Sequence, residues 1–301
     1  MELKTIALGL GLGAFMLMGC GGTGGAVVEH VTKVESVGGF SVPESVIGGG
    51  NTFYVSNVNS RESHNAWQDN DGFISRVTKA GLGEGSSTIK SIKWATGLQA
   101  PKGMALTDEY LFVCDLDRVA AISIADGSIF HIYSAPAGIT HLNDIVLDEE
   151  NKIAYVTDSM TDQIWKVTEA GDWSLFYDTE PMPAHSNQNG LYLDGNKIIM
   201  QGEKGKLKSI NTATKEVKVI ASNLCGDERF KIDGITKVDN KYLVSTWPAK
   251  ICIVPENGEP TEVLHTIEEG PAAADIFASE GLDALLVPDF DSEIDIYTKD
   301  K

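Results

Sequence analysis

Six stretches of this chain share one pattern: a polar or charged residue, a short apolar strand, a turn and a second apolar run. They begin at Glu44, Lys102, Asn143, Asn189, Asp233 and Asp275. The pattern is clear in NDIVLDEENKIAYVTD, NGLYLDGNKIIMQGE, DGITKVDNKYLVSTW and DIFASEGLDALLVPDF, and weakest in ESVIGGGNTFYVSN at Glu44. Successive starts are 41 to 46 residues apart, after a longer first unit of 58. A unit of this length cannot bury its own apolar face, so neighbouring copies have to stack.

The internal order of each unit predicts its strands. Apolar runs at 53–55, 111–113, 153–156, 197–200, 242–244 and 284–287 mark second strands. Third strands alternate with period two, as in Ile164–Val167 and Ile251–Val254. Ala80-Gly81, Asp126-Gly127, Ala170-Gly171 and Asn257-Gly258 suit the tight turns that follow. Four antiparallel strands per unit, six units and no helical periodicity make an all-β, six-bladed β-propeller over residues 31–301. The sixth unit stops after its third strand, Ile294–Tyr297, while Val31–Val37 precedes the first unit and belongs to none. That orphan strand is expected to complete blade six and close the ring, which removes a free edge.

The chain opens with Lys4, a short apolar run from Ile6 to Met18, and Leu17-Met18-Gly19-Cys20. The run is too short to span a bilayer comfortably. The segment resembles a bacterial lipobox. That implies removal of residues 1–19 as a signal peptide, lipidation of Cys20, and a flexible tether over 20–30 that includes Gly21–Gly25. The expected location is the bacterial cell envelope, on the periplasmic side of a membrane where there are two. An ordinary secretory signal with a chance cysteine is the competing reading. The formal net charge of −19 argues against nucleic acid and anionic lipid as partners and is compatible with cation binding. Membrane contact is therefore expected only through the lipid on Cys20. Of the other cysteines, Cys114 lies in an apolar run and reads as core. Cys225 and Cys252 could pair in an oxidising compartment.

In a propeller the starts of the innermost strands converge on the central axis. Here they carry Glu44, Lys102, Asn143, Asn189, Asp233 and Asp275. Carboxylate and amide oxygens at one height suit a hard cation. Asn and Asp also suit caps of loop-to-strand turns, which is the structural alternative. The long loop Ser56–Gly72 joins second and third strands of the first unit and should overhang the same face, with His64 and Trp67 as candidate contacts. His141 and His185 lie just before Asn143 and Asn189, and Trp247 and Phe290 end second strands, so all four could border a pocket. No GxSxG, P-loop, HExxH or strand-linked GxGxxG motif is present.

Asn143-Asp144 with Val156–Asp158, Asn189-Gly190, Asp233-Gly234-Ile235, and Glu44 after Pro43 resemble the regucalcin/gluconolactonase family of six-bladed propellers. The resemblance covers most of residues 43–290. It implies that Glu44, Asn143, Asn189 and Asp233 bind one divalent metal (Ca²⁺, Mg²⁺, Mn²⁺ or Zn²⁺) and that Asp233 doubles as the catalytic base. It also implies a small-molecule substrate, with hydrolysis of lactones or related cyclic esters. The chain departs from the family in having Glu44-Ser45-Val46 where Glu-Gly-Pro is usual. Arg118 is the nearest candidate for the family's substrate-binding arginine, and Asp275 is an additional acid at the pocket. The alternative is a non-catalytic, lipid-anchored propeller that binds a ligand or serves as a scaffold.

Overall fold

The computed structural model describes residues 31–49, 52–59, 68–78, 89–178, 188–203, 205–224, 231–247, 250–255, 261–265, 273–279 and 284–299. The leader, Cys20, the tether, His64, Trp67, His185, Cys225 and the turns at 80–81 and 257–258 lie outside the described residues.

The described strands form six four-stranded antiparallel sheets, the six blades of a propeller. The first strand is β1 (Val31–Gly38). Blade one is β2 (Pro43–Gly49), β3 (Thr52–Asn57), β4 (Gly72–Thr78) and β5 (Ile89–Leu98). Blade two is β6 (Pro101–Leu106), β7 (Tyr110–Asp115), β8 (Arg118–Ser123) and β9 (Ile129–Ser134). Blade three is β10 (Leu142–Asp148), β11 (Ile153–Asp158), β12 (Gln163–Thr168) and β13 (Trp173–Asp178). Blade four is β14 (Leu191–Asp194), β15 (Lys197–Gly202), β16 (Lys206–Asn211) and β17 (Val217–Ala221). Blade five is β18 (Lys231–Val238), β19 (Lys241–Trp247), β20 (Lys250–Pro255) and β21 (Thr261–His265). Blade six is β22 (Phe277–Ser279), β23 (Ala284–Pro288), β24 (Glu293–Lys299) and, on its outside, β1.

Second strands are apolar without interruption because both of their faces are buried. Side chains alternate across a strand, so consecutive residues pack against different neighbours. On β3, Phe53 and Val55 join Leu286, Ile294 and Ile296 of blade six, while Tyr54 joins Leu111 and Val113 of blade two. On β7, Cys114 turns the other way and packs with Ile145 and Val156 of blade three. The same alternation continues around the ring, and six hydrophobic clusters each bridge one pair of adjacent blades. Outer strands have one wet face, which leaves Phe130 on β9 and Leu175 on β13 exposed. Cys114 is a free, buried thiol, as its apolar setting predicts. Cys252 is disulfide-bonded, and its candidate partner Cys225 is outside the described residues.

The ring closes through β1, which runs antiparallel to β24 from Val31↔Lys299 to Gly38↔Glu293, with one register shift between Lys33 and Glu35. Val37 is buried in the cluster that joins blades six and one. Deleting residues 31–38 should therefore uncover β24 and open that cluster. The expected result is a fall of several degrees or more in melting temperature, together with concentration-dependent aggregation through the freed edge. Thermal unfolding followed by circular dichroism, with light scattering, measures both; an unchanged curve would mean the ring does not need β1.

Candidate functional site

Four of the six inner strands start with a β-bulge at the same place. The pairing register shifts between Pro43 and Val46, Pro101 and Met104, Leu142 and Ile145, and Ile232 and Ile235. The skipped pairs are Glu44-Ser45, Lys102-Gly103, Asn143-Asp144 and Asp233-Gly234. A bulge bends its strand and re-aims a side chain, which is how β proteins place residues at sites. Hydroxyls of the second strands satisfy the freed backbone N–H groups. Ser45 N donates to Ser56 Oγ at 2.9 Å, Asp144 N to Thr157 Oγ1 at 2.9 Å, and Gly234 N to Ser245 Oγ at 2.7 Å. In blades four and six, Asn189 and Asp275 stand just ahead of β14 and β22.

These starts are stitched to one another around the axis. Asp275 N donates to Glu44 O at 2.9 Å, and Ser45 Oγ donates to Asp275 Oδ2 at 2.7 Å, joining blade six to blade one. Lys102 Nζ sits 3.5 Å from Glu44 Oε1, with both side chains about 5% exposed. Asp144 Oδ2 accepts from Leu191 N at 2.6 Å, binding blade three to the start of β14. Asn189 Nδ2 donates to Asp233 Oδ1 at 2.5 Å, binding blade four to blade five. Ser245 Oγ donates to Ala274 O at 2.8 Å, joining blade five to blade six, and Leu142 N donates to Leu116 O at 2.8 Å, joining blade three to blade two.

Close approach depends on glycines at the strand starts, Gly103 in the blade-two bulge and Gly190 just ahead of β14. A Cβ on Gly103 would meet Asp144 Oδ1 and would lie 2.7 Å from both Asn143 O and Asp144 Cα. A Cβ on Gly190 would lie 2.5 Å from Asp233 O.

Four carboxylates share this small volume with one ammonium. Burial pushes the Glu44 carboxyl up to about 8; Lys102 opposes the rise, and Asp233 and Asp275 add to it. Burial likewise raises Asp144 to about 8, against the hydrogen bonds from Leu191 and Ile145. Asp233 rises only to about 6, because Lys102 and the Asn189 amide stabilise its charge. Asp275 is held well above the usual range by burial and then by Asp144, although Ser45 partly compensates. Burial favours the neutral form of all four, one ammonium offsets it only in part, and perturbed acids of this kind cluster at functional sites.

The structure thus brings Glu44, Asn143, Asn189, Asp233 and Asp275 to the same end of the inner strands. Lys102 and Asp144 belong with them. The repeat placed Lys102 in the ring but showed neither its pairing with Glu44 nor the inward turn of Asp144; both depend on contacts between blades. Arg118 begins β8, and its guanidinium is committed to Asp115 Oδ2 at 2.8 Å and Gly97 O at 3.1 Å. His141 is buried, and its carbonyl accepts from Ser159 N at 3.1 Å. Trp247, 40% exposed, stacks edge-on against Phe290 at 5.3 Å on the side where second strands end. A cleft of about 460 Å³ between blades two and three is lined by Thr107–Tyr110 and by Asp148, Glu149 and Lys152, at the opposite ends of the inner strands.

No protein-family model and no curated protein matches this chain. Solved structures do. Virginiamycin B lyase from Staphylococcus aureus, in complex with quinupristin, aligns with a TM-score of 0.59 at 18% identity, covering 89% of this chain and 98% of that one. A luciferin-regenerating enzyme aligns at 0.59 and 11% identity, covering 90% and 95%. A candidate gluconolactonase aligns at 0.58 and 13% identity, covering 92% and 95%. The chain resembles these propellers, and at such identities the likeness is one of fold.

Gly103→Ala should destabilise the protein by about 2 kcal/mol, because the neighbouring backbone must give way. Gly49→Ala, whose Cβ would meet nothing within 4 Å, should be close to neutral. Urea unfolding of the two variants distinguishes them, and equal midpoints would show that blades two and three are not tightly docked.

Proposed function

We propose that this propeller is an envelope-anchored, metal-dependent hydrolase of lactones or related cyclic esters. The observation that carries the reading is Glu44 Oε2. It is buried and accepts no hydrogen bond among the described residues, inside a ring with more carboxylates than cations. A buried carboxyl oxygen in that state is satisfied by a proton or by a positive partner, and an ion that displaces the proton supplies the second. Among the described residues no three His, Cys, Asp or Glu side chains group as a metal site. The set offered instead is mixed: Glu44 and Asp233 with the amides of Asn143 and Asn189. Those oxygen donors fit a hard divalent ion such as Ca²⁺, Mg²⁺ or Mn²⁺ better than Zn²⁺.

A divalent ion held there supplies polarisation of a lactone carbonyl and makes a bound water more acidic. The chain's own residues do the rest. Asp233 takes the proton of the attacking water, with Asn189 fixing one of its oxygens, and returns it to the ring oxygen as the acyl C–O bond breaks and the hydroxy acid forms. The Trp247–Phe290 pair offers a small cyclic substrate an apolar wall. Asp144 does not touch the substrate in this scheme; it holds Leu191 N and so positions Asn189. The anchoring half of the proposal rests on Leu17–Cys20 and on the lipid that Cys20 would carry.

One observation favours a second reading, a non-catalytic propeller that binds a ligand or acts as a scaffold. The Lys102–Glu44 pair already neutralises one carboxylate of the ring.

Asp233→Asn keeps the size of the side chain and removes its charge and basicity. On the hydrolase reading it lowers turnover by about two orders of magnitude or more and weakens divalent-ion binding. Asn143→Ala weakens ion binding while leaving the base in place. Metal analysis of the purified protein, calorimetry and a panel of lactones test this. Full activity in Asp233→Asn would put the base elsewhere, and a wild type that turns over no lactone with any of these ions would favour the binding reading.

A further inference from the structure

We propose that Lys102 is a built-in counter-cation that competes with a divalent ion for Glu44, so that this lysine sets how tightly the ring holds metal. The inference rests on the ring being a divalent-ion site, as proposed above, and adds a residue that lowers its affinity.

Five of the six equivalent strand starts carry an oxygen donor, and the second carries an ammonium. Lys102 does not snorkel away from its neighbours. Its Nζ lies 3.5 Å from Glu44 Oε1, and its side chain is as buried as that of Glu44. Its charge also acts on Asp233, so the ammonium bears on both carboxylates assigned to the ion. An ammonium and a divalent ion at neighbouring positions repel strongly where water is largely excluded. Held on the two oxygens of one Glu44 carboxylate, each weakens the other's hold. The lysine stem is long and flexible and its head is a compact point charge, so it can withdraw when an ion takes its place. In the metal-free ring Lys102 offsets part of the repulsion among Glu44, Asp233 and Asp275. Glu44 Oε2, outside that pairing, remains for the incoming ion.

The experiment uses the chelator-treated full chain as wild type, Lys102→Met and Lys102→Gln, titrated calorimetrically with Ca²⁺ and with Mn²⁺, each ion alone. Melting temperatures are recorded with and without ion. The expected result is one ion per chain, bound at least about tenfold more tightly by both variants than by wild type. The ion-free variants should melt lower than wild type, since Glu44 loses its partner, and gain more on adding ion. Adding Glu44→Gln to either variant should abolish the gain in affinity. Lys102→Gln, which keeps a polar side chain, serves if Lys102→Met does not fold.

If wild type and variants bind the ion equally, Lys102 does not compete: the inference falls and the metal site stands. If wild type binds no ion while a variant binds one, the inference stands and metal-dependent hydrolysis by the native chain falls. If no form binds either ion, both fall.

Discussion

Everything in this structure depends on a contact that no blade can make alone. The second strand of each blade is apolar on both faces, and each face is dry only when a neighbouring blade lies on it. Phe53 and Val55 need blade six; Tyr54, one residue away, needs blade two. The cost of leaving either face wet is a large share of a domain's modest net stability. Stacking therefore continues until the last blade meets the first. It can end there only because β1 returns to pair with β24 and Val37 is placed in the closing cluster.

Closure also creates the site. Six strand starts are drawn towards one axis, and at that height the chain has polar residues where further along it has apolar ones. The bulges make room for this. They remove backbone pairing at Glu44-Ser45, Lys102-Gly103, Asn143-Asp144 and Asp233-Gly234, and hydroxyls of Ser56, Thr157 and Ser245 take over where pairing is lost. Gly103 and Gly190 let the adjacent blades approach. The result is a set of carboxylates that solvent cannot stabilise. Such a set favours protonation or positive charge, which Lys102 supplies in part, and perturbed acids of this kind cluster at functional sites.

Two buried acids show why position alone does not assign a role. Asp144 and Asp233 are both next to or at a strand start, and burial raises both. Asp144 spends its oxygens on the backbone of Ile145 and Leu191, which makes it a clamp between blades three and four. Asp233 accepts from a side-chain amide and faces the influence of Lys102. Arg118 makes the same point from the opposite sign, since Asp115 and Gly97 already engage its guanidinium.

The amino-acid sequence by itself determined the number of blades, the strands in each, the closing role of Val31–Val37 and the level at which the polar ring lies. All of these follow from local order, repeated at a regular interval: alternation, turn residues and the recurrence of one short motif. Only the tertiary structure decided which ring residues meet. Lys102 and Glu44 are 58 residues apart, and Asn189 and Asp233 are 44 apart. Their meeting depends on blade-to-blade docking and on bulges that turn side chains inward. The pairing of Arg118 with Asp115 and of Asp144 with Leu191 likewise turns on side-chain aim, which a bulge or a neighbouring backbone sets and strand periodicity does not encode.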